Sequence, residues 1–223
     1  MGIKIQFAVD MVCQSCVDDV SRVLAGVDGV ERFDVSLADQ QAVVEGTARP
    51  SAVLRAIKES GRAAVVRGAG SSASGNIGAA VCILEDKSGP QGLARFVQVS
   101  DDLCYVDISI SGIADGTHAI GIHECGDLSS VPESCGARWG PDGCGGMGDI
   151  AVQSGRGELA FETDRFKVWE VIGRSIVIAA QPAALAGVIA RSAGLFENDK
   201  QVCACSGHTL WEESRLVGEG HRL

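Results

Sequence analysis

The chain opens on an alternating pattern. Ile3, Ile5, Phe7 and Val9 fall on every second position, the period of a strand with one buried face. Between residues 14 and 25 the spacing changes. Val17, Val20, Val23 and Leu24 recur at helical intervals, and Gly26 supplies a stop. Strand-like patterns follow at 31–36 and 42–45, joined by the polar turn Ala38-Asp39-Gln40. Pro50 opens a second helix with Val53, Ala56 and Ile57 on one face, and Gly61 closes it. A last strand is expected over 63–66. The order is βαββαβ, the split βαβ pattern.

Gly68-Ala-Gly-Ser-Ser-Ala-Ser-Gly75 then reads as a flexible linker with little capacity to pack. Beyond it the texture changes. Strand-like runs recur at 79–84, 95–99, 105–110, 158–161 and 175–178, with no long helical period, so an antiparallel sandwich or barrel is expected. A long Gly- and Pro-containing loop spans 126–148. Loops of that length in compact domains are usually functional or tied down. After Gly194 the chain turns polar. The fold class is therefore α+β. A βαββαβ ferredoxin-like domain (1–67) precedes a linker (68–76), an all-β Greek-key sandwich (77–191) and a flexible tail (192–223).

Composition narrows the partners. The 223 residues carry a formal charge of -10. Such a chain repels phosphate backbones and anionic lipid, so neither nucleic acid nor a membrane surface is an expected partner. No apolar stretch approaches transmembrane length. The N-terminus lacks the basic region, apolar block and cleavage site of a secretory signal, so the chain is expected to stay inside the cell. There nine Cys suggest metal or redox chemistry more than a disulfide framework. Cys82, Cys104, Cys125, Cys135 and Cys144 are dispersed. The other four form two tight pairs, Cys13/Cys16 and Cys203/Cys205.

Met11-Val-Cys13-Gln-Ser-Cys16 lies where the first strand gives way to the first helix. Thiols at i and i+3 can converge there, and a helix N-terminus favours thiolate over thiol. Two soft thiolates suit Cu(I), whereas Zn(II) would normally want four ligands, and no second CxxC completes the set. A buried structural pair and a thioredoxin-type redox pair are the competing readings. The redox reading is disfavoured by the intervening Gln-Ser. The motif at this junction resembles the heavy-metal-associated domain of copper chaperones and copper ATPases.

The middle of the chain resembles Cu,Zn superoxide dismutase. Gly116-Thr-His118-Ala-Ile-Gly121-Ile-His123-Glu-Cys125-Gly-Asp127 is similar to that family's copper-site strand. Gly140-Pro-Asp-Gly143, Gly148-Asp149, the segment 167–178 and Gly187-Val-Ile-Ala190 follow in the family's order. The resemblance implies a Greek-key sandwich, and fold alone does not imply function. Where the family has copper-binding His, this chain retains His123 but has Gly121 and Ala179. In the zinc loop stands Arg138, then Gly, Cys and Met without His, and only Asp149 remains of that set. No zinc is therefore expected in the middle domain, and His118 and His123 are read as hydrogen-bonded residues on a sheet. By residue type alone, His123, Cys125, Cys135, Cys144 and Asp149 leave a substitute zinc site open, at a spacing that matches no zinc pattern. At the positions of the family's intradomain disulfide stand Pro132 and Ala186, with Cys135 nearby. Cys125 stands where dismutases usually carry an aromatic near their dimer contact.

The tail carries Cys203-Ala-Cys205. A disulfide within such a pair closes a small strained ring that exchanges readily. As thiolates the pair can receive Cu(I). Two incidental cysteines are the alternative. The order of heavy-metal domain, dismutase-like domain and Cys-x-Cys tail resembles the copper chaperones for superoxide dismutase, closest over 190–213. The resemblance implies a metallochaperone, not an enzyme. The middle domain would dock on Cu,Zn superoxide dismutase as a heterodimer, Cys13 and Cys16 would acquire Cu(I), and Cys203 and Cys205 would insert it and help form the target's disulfide. It further implies a copper importer or other donor upstream, a homodimer as an alternative assembly, and a cytoplasmic location extending to the mitochondrial intermembrane space. A copper buffer, an unusual dismutase or a thiol-disulfide oxidoreductase acting without delivery remain the alternatives.

Overall fold

The computed structural model of the chain describes residues 3–71, 75–76, 78–86, 89–180 and 184–192. Its N-terminal part follows the expected order: β1 (Ile3–Val9), α1 (Gln14–Leu24), β2 (Val30–Ser36), β3 (Gln41–Gly46), α2 (Pro50–Glu59) and β4 (Ala64–Ser71). β1 lies in the middle of the sheet, paired antiparallel with β3 and β4. Its inner face is covered by α1, which buries Cys16, Val20 and Leu24, and by α2, which buries Pro50, Val53, Leu54 and Ile57. These spacings are one helical stripe each. Cys16 belongs to that stripe, a core position that the apolar pattern left out.

One expectation is corrected. The Gly/Ser segment does not leave the sheet at residue 66. β4 runs on to Ser71, pairing Gly68, Ala69 and Gly70 with Gln6, Ile5 and Lys4, and then folds back onto β5 (Gly75–Asn76). The ladder is made of backbone groups, so glycines can extend it, and Ala69 adds a buried methyl.

The rest of the described chain forms a closed antiparallel barrel of eight strands: β6 (Ala79–Glu85), β7 (Gln91–Gln98), β8 (Cys104–Ser111), β9 (Gly116–His123), β10 (Gly146–Gln153), β11 (Arg156–Thr163), β12 (Ser175–Ile178) and β13 (Leu185–Ser192). Around the barrel the order is β10-β11-β8-β7-β6-β13-β12-β9. β8 and β9 are thus separated by two strands, which is a Greek-key connection, and closure removes the sheet edges. β9 and β10 escaped the strand pattern because glycines interrupt them and a bulge shifts their register between Gly146 and Gly148. A short helix, α3 (Val168–Val171), lies before β12. Inward residues from all eight strands fill the interior, among them Leu84, Phe96, Ile108, Ile120, Ile150, Ile178 and Ile189, with Cys82, Cys104 and Leu159 beside them. Burial pushes the Cys82 and Cys104 thiols up to about 12, so both are inert packing groups.

The two parts share a core. Val97, Val99 and Tyr105 of the barrel are buried in the same apolar cluster as Ile5, Phe7, Leu54 and Ala69. At its margin Lys58 of α2 reaches Glu158 of β11 at 2.9 Å.

Candidate metal centre

The segment before α1 is anchored at both ends. Val9 N–H donates to Gln40 O, Asp10 N–H donates to Ala63 O, and the Gln40 side-chain amide donates to Met11 O at 3.1 Å. Met11 is itself buried, so it shapes the turn from below. The chain then comes to the surface at Val12, which is 79% exposed, and at Cys13. Cys13 is the N-cap of α1, in extended conformation, with no acidic residue in the first helical turn to compete for the helix's free N–H groups.

Cys13 and Cys16 face each other with their Sγ atoms 3.4 Å apart. A disulfide would be about 2.05 Å, so these are two free thiols in contact. Their surroundings differ. Cys13 is exposed, while Cys16 is 1% exposed on the core face of α1. Cys13 is held down to about 7 from its ordinary 9.0. Hydrogen bonding from the Ser15 side chain contributes most, then the Cys16 backbone N–H and the Cys16 thiol, against a small opposing cost of burial. Ser15 Oγ lies 3.1 Å from Cys13 Sγ. Ser15 was not among the site residues read from sequence, and its signal was its place between the two cysteines. The result is one thiolate presented to solvent and a second thiol behind it, a soft two-sulfur pair fixed by a helix start.

Cys203 and Cys205, the other pair expected to hold metal and to carry the transfer step, lie outside the described residues.

The barrel offers no comparable centre. His118 sits between two carbonyls, Nδ1 3.2 Å from Ala179 O and Nε2 2.8 Å from Ala114 O, and its single N–H donates to one of them. His123 places Nδ1 against Gly136 O at 2.8 Å. Where a copper-binding imidazole would project from position 121, the Arg138 side chain crosses. A Cβ at Gly121 would stand 2.9 Å from Arg138 Nε. Among the described residues, no group of three or more His, Cys, Asp or Glu is placed to hold a metal ion, the set around His123 and Asp149 included. The residues present therefore do not fit the copper and zinc that the barrel's fold implies. Cys135 is buried against Val177 and Ala186, its Sγ directed at Asp127 O, so a small apolar contact stands at the place of the dismutase family's intradomain disulfide.

Comparison with known proteins agrees with this division. Residues 6–63 match the model of the heavy-metal-associated domain, and residues 90–195 match that of copper/zinc superoxide dismutase. Over 98% of its length the chain is 40% identical to the copper chaperone for superoxide dismutase of Mus musculus, covering 92% of that protein. The chain belongs to the family of copper chaperones for superoxide dismutase. The human copper chaperone for superoxide dismutase is 37% identical over the same 98% of this chain and 92% of its own length. The superoxide dismutase 1 copper chaperone of Saccharomyces cerevisiae is 34% identical over 94% of the chain and 93% of its own. Membership covers both folded parts. Among the described residues no helix is long and apolar enough to cross a membrane.

Proposed function

We propose that this chaperone carries Cu(I) on Cys13 and Cys16 and delivers it to Cu,Zn superoxide dismutase by docking as a heterodimer. The reading rests on one observation above the rest: two thiols 3.4 Å apart at a helix start, the exposed one held at about 7. The Cys13 thiolate is readily available near neutral pH, and two sulfurs so placed bind a soft monovalent ion without needing further ligands. Copper is cargo here. It enters from a copper importer or other donor by thiolate-for-thiolate exchange and leaves in the same way, so it is never released free.

The dismutase-like barrel supplies the address, because a barrel similar to the target's subunit can take a subunit's place at the target's dimer contact. It carries no zinc. Cys203 and Cys205 receive the copper and pass it on. They also transfer a disulfide: once copper has left and a two-electron oxidant such as molecular oxygen has joined Cys203 to Cys205, that disulfide exchanges with two target thiols, reducing the tail as the target is oxidised. A homodimer of this chain is the alternative assembly. The compartment is the cytoplasm, extending to the mitochondrial intermembrane space. The chain acts as a metallochaperone and does not turn over superoxide.

The test is to mix the Cu(I)-loaded chain with copper-free dismutase, following complex size and dismutase activity together. A one-to-one complex with activity gained is expected. Cys13→Ser with Cys16→Ser should remove the copper carried by the N-terminal part, leaving only what the tail pair holds, while the complex still forms, and Cys203→Ser with Cys205→Ser should abolish activation. Copper binding without a complex would make the chain a buffer and overturn delivery.

A further inference from the structure

We propose that the long connection between β9 and β10 is set in place by a backbone zipper and by Arg138, which takes the space of a copper ligand, so that this face of the barrel is fully formed without metal or disulfide. Residues 126–148 were expected to be functional or tied down. The ties can be read one by one. Trp139 N–H donates to Ile122 O at 2.8 Å, Glu124 N–H to Ala137 O at 3.0 Å, and Cys125 N–H to Cys135 O at 2.9 Å. Arg138 forms an antiparallel bridge with His123. The returning segment is thus one more strand laid along the end of β9. It is closed by Ile122 N–H to Gly145 O at 2.7 Å and Gly145 N–H to Trp139 O at 2.9 Å.

The side chains reinforce the zipper. Arg138 crosses Gly121 so closely that a side chain at 121 would push the guanidinium aside. Nη1 also lies 3.5 Å from where a Cβ would stand on Gly146. Glycine at 121 therefore does two things: it removes an imidazole and makes room for a guanidinium. A fixed cation over the old ligand position further repels a metal cation. From the other side Arg174 donates to Glu124 O at 3.1 Å and to Glu170 O at 2.9 Å, and its guanidinium lies 4.6 Å from the centre of the Trp139 ring. Ser134 Oγ donates to Asp127 O at 2.7 Å, and Ser130 N–H donates to Ser134 Oγ at 3.0 Å. A loop held by ligands loses order with its metal. A loop held by this many backbone bonds has no such dependence.

The experiment uses the full chain with Cys13, Cys16, Cys203 and Cys205 each changed to Ser, so that any metal retained belongs to the barrel. After incubation with zinc or Cu(I) and desalting, far less than one ion per chain is expected. Amide exchange at Glu124, Cys125 and Trp139 should be the same with zinc as with a chelator. One ion retained per chain, or exchange at those amides slowed about tenfold by zinc, would overturn the proposal. In the same background Arg138→Ala should speed exchange at those three amides about tenfold, with β7 and β8 unchanged as proof of a folded barrel. Unchanged exchange throughout would remove Arg138 from the device.

Discussion

Glu162 of the barrel caps α2 through Ser51: one carboxylate oxygen accepts the Ser51 backbone N–H at 2.9 Å, and the other accepts the Ser51 hydroxyl at 3.0 Å. The N-cap residue of α2, Arg49, makes no side-chain cap of its own. A helix start leaves N–H groups without partners and carries partial positive charge, so a carboxylate there serves both needs. The carboxylate comes from a strand 111 residues away in sequence, on the other folded part. Replacing Glu162 by Ala should cost about 1–2 kcal/mol in denaturant unfolding. Ser51→Ala should cost much less in the Glu162→Ala background than alone, and additive losses would show that the two residues are not coupled.

Lys58 and Glu158 span the same contact at the same 2.9 Å, but their side chains are 43% and 65% exposed. Screening by water and the entropy of two long side chains reduce such a pair to about 0.5 kcal/mol or less. Lys58→Met is therefore expected to shift the unfolding midpoint little, and less still in high salt. A loss as large as that of Glu162→Ala would contradict this ranking.

Tyr105 is fully buried where the two parts meet, and among the described residues its hydroxyl has no hydrogen-bond partner. An orphaned buried hydroxyl carries a desolvation cost, so Tyr105→Phe should leave stability unchanged or raise it by about 1 kcal/mol. Burial, then the Asp107 and Glu162 carboxylates, push the phenol above its ordinary value. This is the chain's single Tyr. Tyrosinate absorbance should thus stay silent on raising the pH until the chain unfolds, and early ionisation would place the ring in water.

The Cys13 thiol gives a pH dependence with a definite sign. Its value is lowered to about 7, so the thiolate is present above that pH and is lost as pH falls through it. Alkylation of Cys13 by iodoacetamide should be half-maximal near pH 7, and Cu(I) capture should weaken on acidification below it. Ser15→Ala removes the largest stabilising contact and should move the midpoint upward toward 9.0. An unmoved midpoint would assign the shift to the helix start alone.

Much of this architecture was legible in the chain. The alternation at Ile3, Ile5, Phe7 and Val9 and the helical stripe ending at Leu24 depend on near neighbours, and a strand and a helix formed where they stood, although Gln6 and Ala8 are buried as well and Cys16 joins the stripe. Cys13 and Cys16 could be paired from their spacing because both sit within the first turn of one helix. β9 and β10 were harder. Their register is set by barrel partners, and glycines hide the alternation. The Gly/Ser stretch misled for the opposite reason, since its backbone pairs with β1 whatever its side chains are.

The sequence by itself determined the βαββαβ order of the N-terminal part, the cysteine pair at the head of α1 and the loss of imidazoles from the barrel, because each is a matter of residue type and short-range spacing. Only the tertiary structure decided that Ser15 supports the Cys13 thiolate, that Glu162 caps a helix it does not adjoin in sequence, and that Arg138 lies over Gly121. The first depends on the rotamers adopted at one helix start, and the other two on where side chains come to rest once distant strands have paired. That outcome is set by barrel closure and packing, which no local pattern encodes.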